Sequence, residues 1–334
     1  MITEVSTLNF KLMLIMAIVA LNFIYVHAAA AVEPAGNNVL AEIKPGTFEF
    51  HMKTGLLKHS ESSYDAAIAE YEKALKIKPG DIDATYNMGL SYQYKKDNSK
   101  ALELYKKVIN ADPAHYASHL NAGIACDDMG DQAAAIDYLK KAANIAPARF
   151  EAYYNFSNIY LAQKSYAEAI EACKKGIAAN PVHDRLINNL GYAYFHTGKL
   201  EEAIANAKTA VSINSKNEVA QFNLGTYYES AKDAKNAYEC YTRALEIKPD
   251  YYDAILNAAI MDAENGRLKL AETKLLRAKL LNPKDARSYY NLGIICNMNG
   301  DGARALVEFQ RAAELEPSYA AELAPVIEGL KRKR

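Results

Sequence analysis

The sequence predicts an all-α solenoid in which eight helix–turn–helix units follow one another in file and a short helix closes the C-terminal end. Three observations predict it. Pro79, Pro113, Pro147, Pro181, Pro249, Pro283 and Pro317 fall on one 34-residue grid, whose single gap is filled by Ser215. Counting each proline as position 32 of a unit, position 20 is alanine in all eight units, from Ala67 to Ala305. Position 8 is small throughout: Gly55, Gly89, Gly123, Ser157, Gly191, Gly225, Ala259 and Gly293. Self-similarity at such a fixed period marks a stack of supersecondary units, none of which can bury its apolar face alone.

Composition sets the outer limits. Half of the 334 residues are hydrophobic, so a sizeable core is available. The charges nearly cancel, 39 Lys and Arg against 40 Asp and Glu. A dedicated nucleic-acid binder would need a basic face to displace counterions from phosphates, so that class is disfavoured. Four cysteines in so long a chain do not make a disulfide framework.

Residues 1–31 stand outside the grid. Leu12 to Val26 form an apolar run broken only by Asn22, followed by His27 and a stretch of alanines. A short apolar core ahead of small residues is the pattern of a secretory signal. The expectation is export, periplasmic, secreted or lumenal, after cleavage. If uncleaved, the stretch from Leu12 to Val32 is long enough to tether the chain in a bilayer. Residues 32–47, with Pro34, Gly36, Asn37, Asn38, Pro45 and Gly46, read as a linker.

The units then run 48–81, 82–115, 116–149, 150–183, 184–217, 218–251, 252–285 and 286–319. Each has room for two helices and two turns. Small residues at positions 8, 20 and 27 let the paired helices approach, and bulky ones at positions 7 and 24, such as Phe156, Leu224, Tyr71 and Tyr105, fill the space left. The proline ends each second helix, because it lacks an N–H and turns its predecessor away from helical angles. Neighbouring Asp or Asn supplies turn chemistry and a cap for the next helix. Leu323, Val326, Ile327 and Leu330 repeat the apolar spacing of a first helix, so residues 320–334 read as a capping helix and basic tail. Pro325 predicts that this helix is short or starts late.

These residues resemble the tetratricopeptide repeat family over residues 48–319. The resemblance implies a right-handed superhelix whose first helices line a concave groove for another polypeptide, with no catalysis and no cofactor. Position 6 of the first helix is Asn87, Asn121, Asn155, Asn189, Asn223, Asn257 and Asn291, with Lys53 the exception. A carboxamide offers both a donor and an acceptor, so a file of them can grip an extended chain by its backbone. That file resembles the asparagine ladder in the tetratricopeptide arm of O-linked N-acetylglucosamine transferases. Asparagine at this place can equally bridge adjacent helices, and both readings stay open. Tyr86, Tyr154, Tyr192, Phe222 and Tyr290 at positions 5 and 9 should flank the file, as aromatics do in interface cores. The dicarboxylate clamp of chaperone-binding members is not supplied by any three consecutive repeats here.

Reactive chemistry is sparse. No phosphate-cradling glycine loop, HExxH, CxxC or GxSxG occurs. His115 and His119 have the spacing of a metal pair but no evident third ligand, so no metal is expected. Asp262 replaces the usual large residue at position 11; a buried carboxylate there needs a partner, or the repeat is locally loose. The expected function is a scaffold binding a polypeptide segment. The alternatives are a recruiting or substrate-recognition arm for a separately encoded glycosyltransferase or envelope-assembly machine, and a self-assembling structural protein.

Overall fold

The computed structural model describes residues 43–332. The predicted signal or anchor and most of the linker lie outside the described residues, as do the last two positions. Among the described residues there are seventeen α-helices and no strand, and no helix is long and apolar enough to cross a membrane. The chain divides after Pro181 into two compact units. The first holds α1 (Phe48–Ser60), α2 (Tyr64–Ile77), α3 (Ile82–Tyr94), α4 (Asn98–Ala111), α5 (Tyr116–Asp128), α6 (Gln132–Ile145), α7 (Glu151–Ala162) and α8 (Tyr166–Ala179). The second holds α9 (Asp184–His196), α10 (Leu200–Ile213), α11 (Glu218–Ser230), α12 (Ala234–Ile247), α13 (Tyr252–Glu264), α14 (Leu268–Leu281), α15 (Ala286–Met298), α16 (Gly302–Leu315) and α17 (Pro317–Arg332).

Every 34-residue unit is a pair of helices, odd-numbered then even-numbered, and within each unit of the fold each pair stacks on the next. The close approach inside a pair comes from size matching at two positions. All eight alanines at position 20 are wholly buried. At position 8 the missing side chain makes room for position 24: a Cβ on Gly89 would lie 2.8 Å from the Tyr105 ring, one on Gly225 2.7 Å from Tyr241, and one on Gly293 2.5 Å from Phe309. Where position 8 carries Ser157, position 24 shrinks to Cys173.

The turn inside each pair has a fixed conformation. Position 15 is left-handed in all eight repeats: Gly130, Gly198, Gly266 and Gly300, but also Ser62, Lys96, Lys164 and Lys232, with φ between 59 and 84°. The residue after it closes the first helix by a bond from its N–H to a carbonyl five residues back, as from Asp97 to Tyr92 and from Asp131 to Cys126. Aspartates at the next helix start then cap it, Asp97 accepting from Lys100 N and Asp131 from Ala134 N.

Second helices end one or two residues ahead of the grid proline, as α2 does before Pro79. In the repeat that lacks the proline, α10 still stops at Ile213, and the Asn214 side chain takes over the turn by accepting from Lys216 N. First helices are capped by Asp81 and Asn217, as predicted for Asp or Asn, but also by imidazoles. His115 Nδ1 accepts from Ser118 N, and His183 Nδ1 from Leu186 N, each at 3.1 Å. With His119 Nε2 bonded to the Pro113 carbonyl at 3.0 Å, the His115–His119 spacing is accounted for by a cap and a turn.

The C-terminal helix departs from expectation. It begins at Pro317, three residues before the predicted 320, and runs to Arg332 through Pro325 without a break. Proline tolerates the first turn, and Pro325 itself is exposed, where the carbonyl it leaves unbonded can turn to water. Only one face of α17 is needed: Leu323 is buried against the last pair, with Tyr319, Ile327 and Leu330 beside it.

Candidate functional site

The first helices of each unit place position 6 and its neighbours on one face, and four of the asparagines there find partners that follow the side chain one repeat back. Where position 5 of the preceding repeat is polar, the asparagine bonds to it. Asn121 Nδ2 donates to Tyr86 Oη at 2.8 Å, and Asn223 Nδ2 donates to Asn188 Oδ1 at 3.0 Å. Where that residue is leucine, the asparagine turns back to its own helix: Asn155, preceded by Leu120, donates to the Glu151 carbonyl at 2.8 Å, and Asn291, preceded by Leu256, donates to the Arg287 carbonyl at 2.9 Å. Asn257, preceded by Phe222, is hydrogen-bonded to the Tyr241 hydroxyl. Asn87, preceded by Met52, lends only its backbone carbonyl, to Ser91 Oγ.

The file is therefore not a uniform ladder. Asn223 is buried and spent on a helix-to-helix bond. Asn87, Asn121, Asn155, Asn189, Asn257 and Asn291 are half-buried. Among these, Asn155 and Asn291 keep the Oδ1 acceptor and one amide hydrogen, because each uses a single N–H on its own helix.

The predicted aromatics are also divided in their duties. Tyr86 is half-buried with its ring 5.2 Å from His115 and 5.9 Å from Tyr105, and burial pushes its phenol pKa well upward. Phe222 packs at 5.0 Å on Tyr251 and 5.6 Å on Tyr241. Tyr192 lies 4.4 Å from the ring of His196, and Tyr154 is half-buried on α7. Tyr290 is taken by the capping helix: it stacks on Tyr319 at 4.7 Å and donates to Glu322 at 2.6 Å. Of the aliphatic neighbours, Leu90, Ile124 and Leu256 are buried between helices, while Leu56 and Ile260 are exposed.

Several charges on this face are paired. Arg149 pairs with Glu151 at 2.7 Å. Arg287 reaches back one repeat to Asp253 at 2.9 Å while holding Asp285 at 2.7 Å. Burial disfavours the Arg287 charge, yet these two carboxylates keep its pKa above the ordinary guanidinium value. Glu229 accepts from Tyr241 Oη at 2.6 Å. Asp83 remains exposed.

Asp262 has the partners its position demands. It is wholly buried, and it accepts from Arg267 Nε at 2.8 Å and from Lys274 Nζ. The Tyr238 ring covers both cations, 4.6 Å from the Arg267 guanidinium and 5.5 Å from Lys274 Nζ. The four cysteines are free and buried; burial raises the Cys173 thiol to about 12 and the Cys240 thiol to about 11.

Family models agree with this geometry. One described as TPR repeat matches residues 55–96, and others described as tetratricopeptide repeat match 86–149, 127–190, 160–222, 219–251 and 256–320. The chain belongs to the tetratricopeptide repeat family. It is similar in fold to the solved APC/C heterotetramer Cut9–Hcn1, with a TM-score of 0.57 at 16% identity over 84% of this chain and 55% of that one. It is likewise similar to PilF of Pseudomonas aeruginosa, with a TM-score of 0.56 at 17% identity over 62% of this chain and 94% of that one. A human relative named protein O-mannosyl-transferase TMTC3 is 29% identical over 106 residues, 30% of this chain. That match spans 12% of the relative's length. As a tetratricopeptide repeat protein the chain is a protein-interaction scaffold, and its partner is a protein or peptide.

Proposed function

We propose that the scaffold holds a polypeptide segment on its first-helix face through backbone hydrogen bonds, without catalysing a reaction. The observation that supports this reading is the unspent hydrogen-bonding capacity of half-buried Asn87 and Asn155 in the first unit and of half-buried Asn291 in the second. A carboxamide with a free acceptor and a free N–H meets both halves of a peptide unit. Half-buried Tyr154 and Tyr192 supply flat apolar area beside it. Export behind residues 1–31 belongs to the same proposal.

The test compares two sets of substitutions in the full chain. Crosslinking in native extract followed by mass spectrometry first defines the bound segment, and a synthetic peptide of it serves as the ligand. Alanine at Asn87, Asn155 and Asn291 together should weaken its binding at least tenfold with an unchanged melting curve. Equal binding by this variant would remove the asparagines from the interface. A second reading, a recruiting arm for a separately encoded glycosyltransferase, draws on the 106-residue likeness to part of a protein named as a mannosyl-transferase. Co-purification of a glycosyltransferase with the native chain would favour it.

A further inference from the structure

The outer face of α14 breaks the pattern of the other second helices. Position 25 is Glu72, Lys106, Lys140, Lys174, Lys208, Thr242 and Gln310 in seven repeats, and Leu276 in the seventh repeat. Position 29 is Lys76, Asn110, Asn144, Ala178, Ser212, Glu246 and Glu314, and Leu280 in that same repeat. Both leucines point to solvent: Leu280 is 82% exposed and Leu276 40%. One turn apart, they share a row with Lys269, while Leu270 and Leu281, also exposed, flank the row with Arg277. Val307 on α16 is also exposed, and the Arg304–Glu272 and Lys279–Glu308 ion pairs join α14 to α16. Apolar side chains grouped on an outer surface in this way are a candidate interaction site.

The charges around the strip say what kind of partner it fits. Glu272 is the one acid on α14, and it is held by Arg304. Lys274 and Lys279 are consumed by Asp262 and Glu308. Lys269, Arg277 and Lys284 are exposed and enter no ion pair among the described residues. A second copy docking face to face would set these cations against themselves, whereas an anionic partner would pair with them. The Leu280 side chain stands almost fully in solvent, and a fluid surface conforms to such a projection where a folded partner must be shaped to it. Leucine tips with cations beside them are what an interfacial helix presents to a charged bilayer.

We propose that the outer face of α14 is a docking surface for anionic lipid bilayers. Leu276 and Leu280 enter the boundary between headgroups and acyl chains, and Lys269, Arg277 and Lys284 meet lipid phosphates. This contact is separate from the N-terminal apolar segment and from the asparagine face.

The chain contains no tryptophan, so Leu280→Trp in the full-length protein is a single local reporter. Vesicles of phosphatidylcholine with phosphatidylglycerol should shift its emission to the blue, and brominated acyl chains should quench it. Pure phosphatidylcholine should do neither at the same concentration. Adding Lys269→Glu and Arg277→Glu should weaken the response by roughly tenfold or more, and so should high salt. Leu276→Trp repeats the readout one turn away, and circular dichroism confirms the fold of each variant. Unchanged emission with anionic vesicles overturns the proposal, even if the chain sediments with them through its N-terminal segment. Equal responses to both vesicle types overturn it as well. A blue shift produced by an acidic amphipathic helical peptide and by neither vesicle would overturn it in favour of a protein partner.

Discussion

Asn121 donates its amide hydrogen to the Tyr86 hydroxyl at 2.8 Å, tying the first helix of one repeat to the first helix of the repeat before it. Asn223 makes the same tie to Asn188, thirty-five residues back. In the repeats where the earlier position is leucine, the asparagine bonds to its own helix instead. One residue type at one place in the period thus has a cohesive duty in some repeats and an open amide in others, chosen by a side chain in the neighbouring repeat.

Tyr86→Phe should remove this tie without changing the packing of the ring. We expect a loss of about 1 kcal/mol in urea unfolding, the usual net worth of such a bond. Asn223→Ala should cost somewhat more, because it leaves the buried Asn188 carboxamide without that donor. Asn155→Ala should cost less than either, its bond being to a carbonyl already in the helix ladder. Equal losses in all three variants would refute the distinction.

Lys232 sits at φ 62° in the turn that joins α11 to α12, where Gly198 does the same work one repeat earlier. A residue with a Cβ pays for that left-handed conformation, whereas glycine adopts it freely. Lys232→Gly should therefore stabilise the chain by about 0.5–1 kcal/mol after glycine's own chain entropy is counted. Thermal melting of Lys96→Gly, Lys164→Gly and Lys232→Gly, singly and combined, would show whether the gains add.

Lys274→Met should be the costly substitution around Asp262. It leaves a wholly buried carboxylate with Arg267 alone, and a loss of about 1–3 kcal/mol is expected. Replacing both groups, as Asp262→Leu with Lys274→Met, should recover part of the loss, since an apolar pair needs no desolvation. A double-mutant cycle in denaturant gives the coupling directly.

The thiols should be silent in the folded state. Burial holds Cys173 near 12 and Cys240 near 11, so at pH 8 little thiolate is present, and no cysteine is open to reagent. Iodoacetamide at pH 8 should label none of the four before denaturation and all four after it. Rapid labelling of Cys173 in the native chain would contradict the packing of α7 on α8.

Much of this architecture was legible in the sequence because it is periodic. The alanine at position 20 occurs in all eight repeats, the grid proline in seven and the glycine at position 8 in six, so local chemistry alone placed the helix pairs. The rest depends on contacts the period hides. The partner of Asn121 is set by Tyr86, and the tolerance of Asp262 by Arg267 and Lys274, none of which stands out alone. The left-handed turn at position 15 was masked by lysines and a serine in half of the repeats. His115 and His183 serve as helix caps, a duty usually given to Asp, Asn, Ser or Thr. The start of α17 was misplaced because Pro325 reads as a breaker, yet its exposed position lets the helix pass through.

The seat of α17 also bears on growth by addition of copies. Leu323 fills the apolar face of the last helix pair, and Tyr319 lies flat on Tyr290, so the surface onto which a ninth repeat would stack is already taken. A second copy cannot extend the file at that end by offering its own first repeat without first prising α17 away.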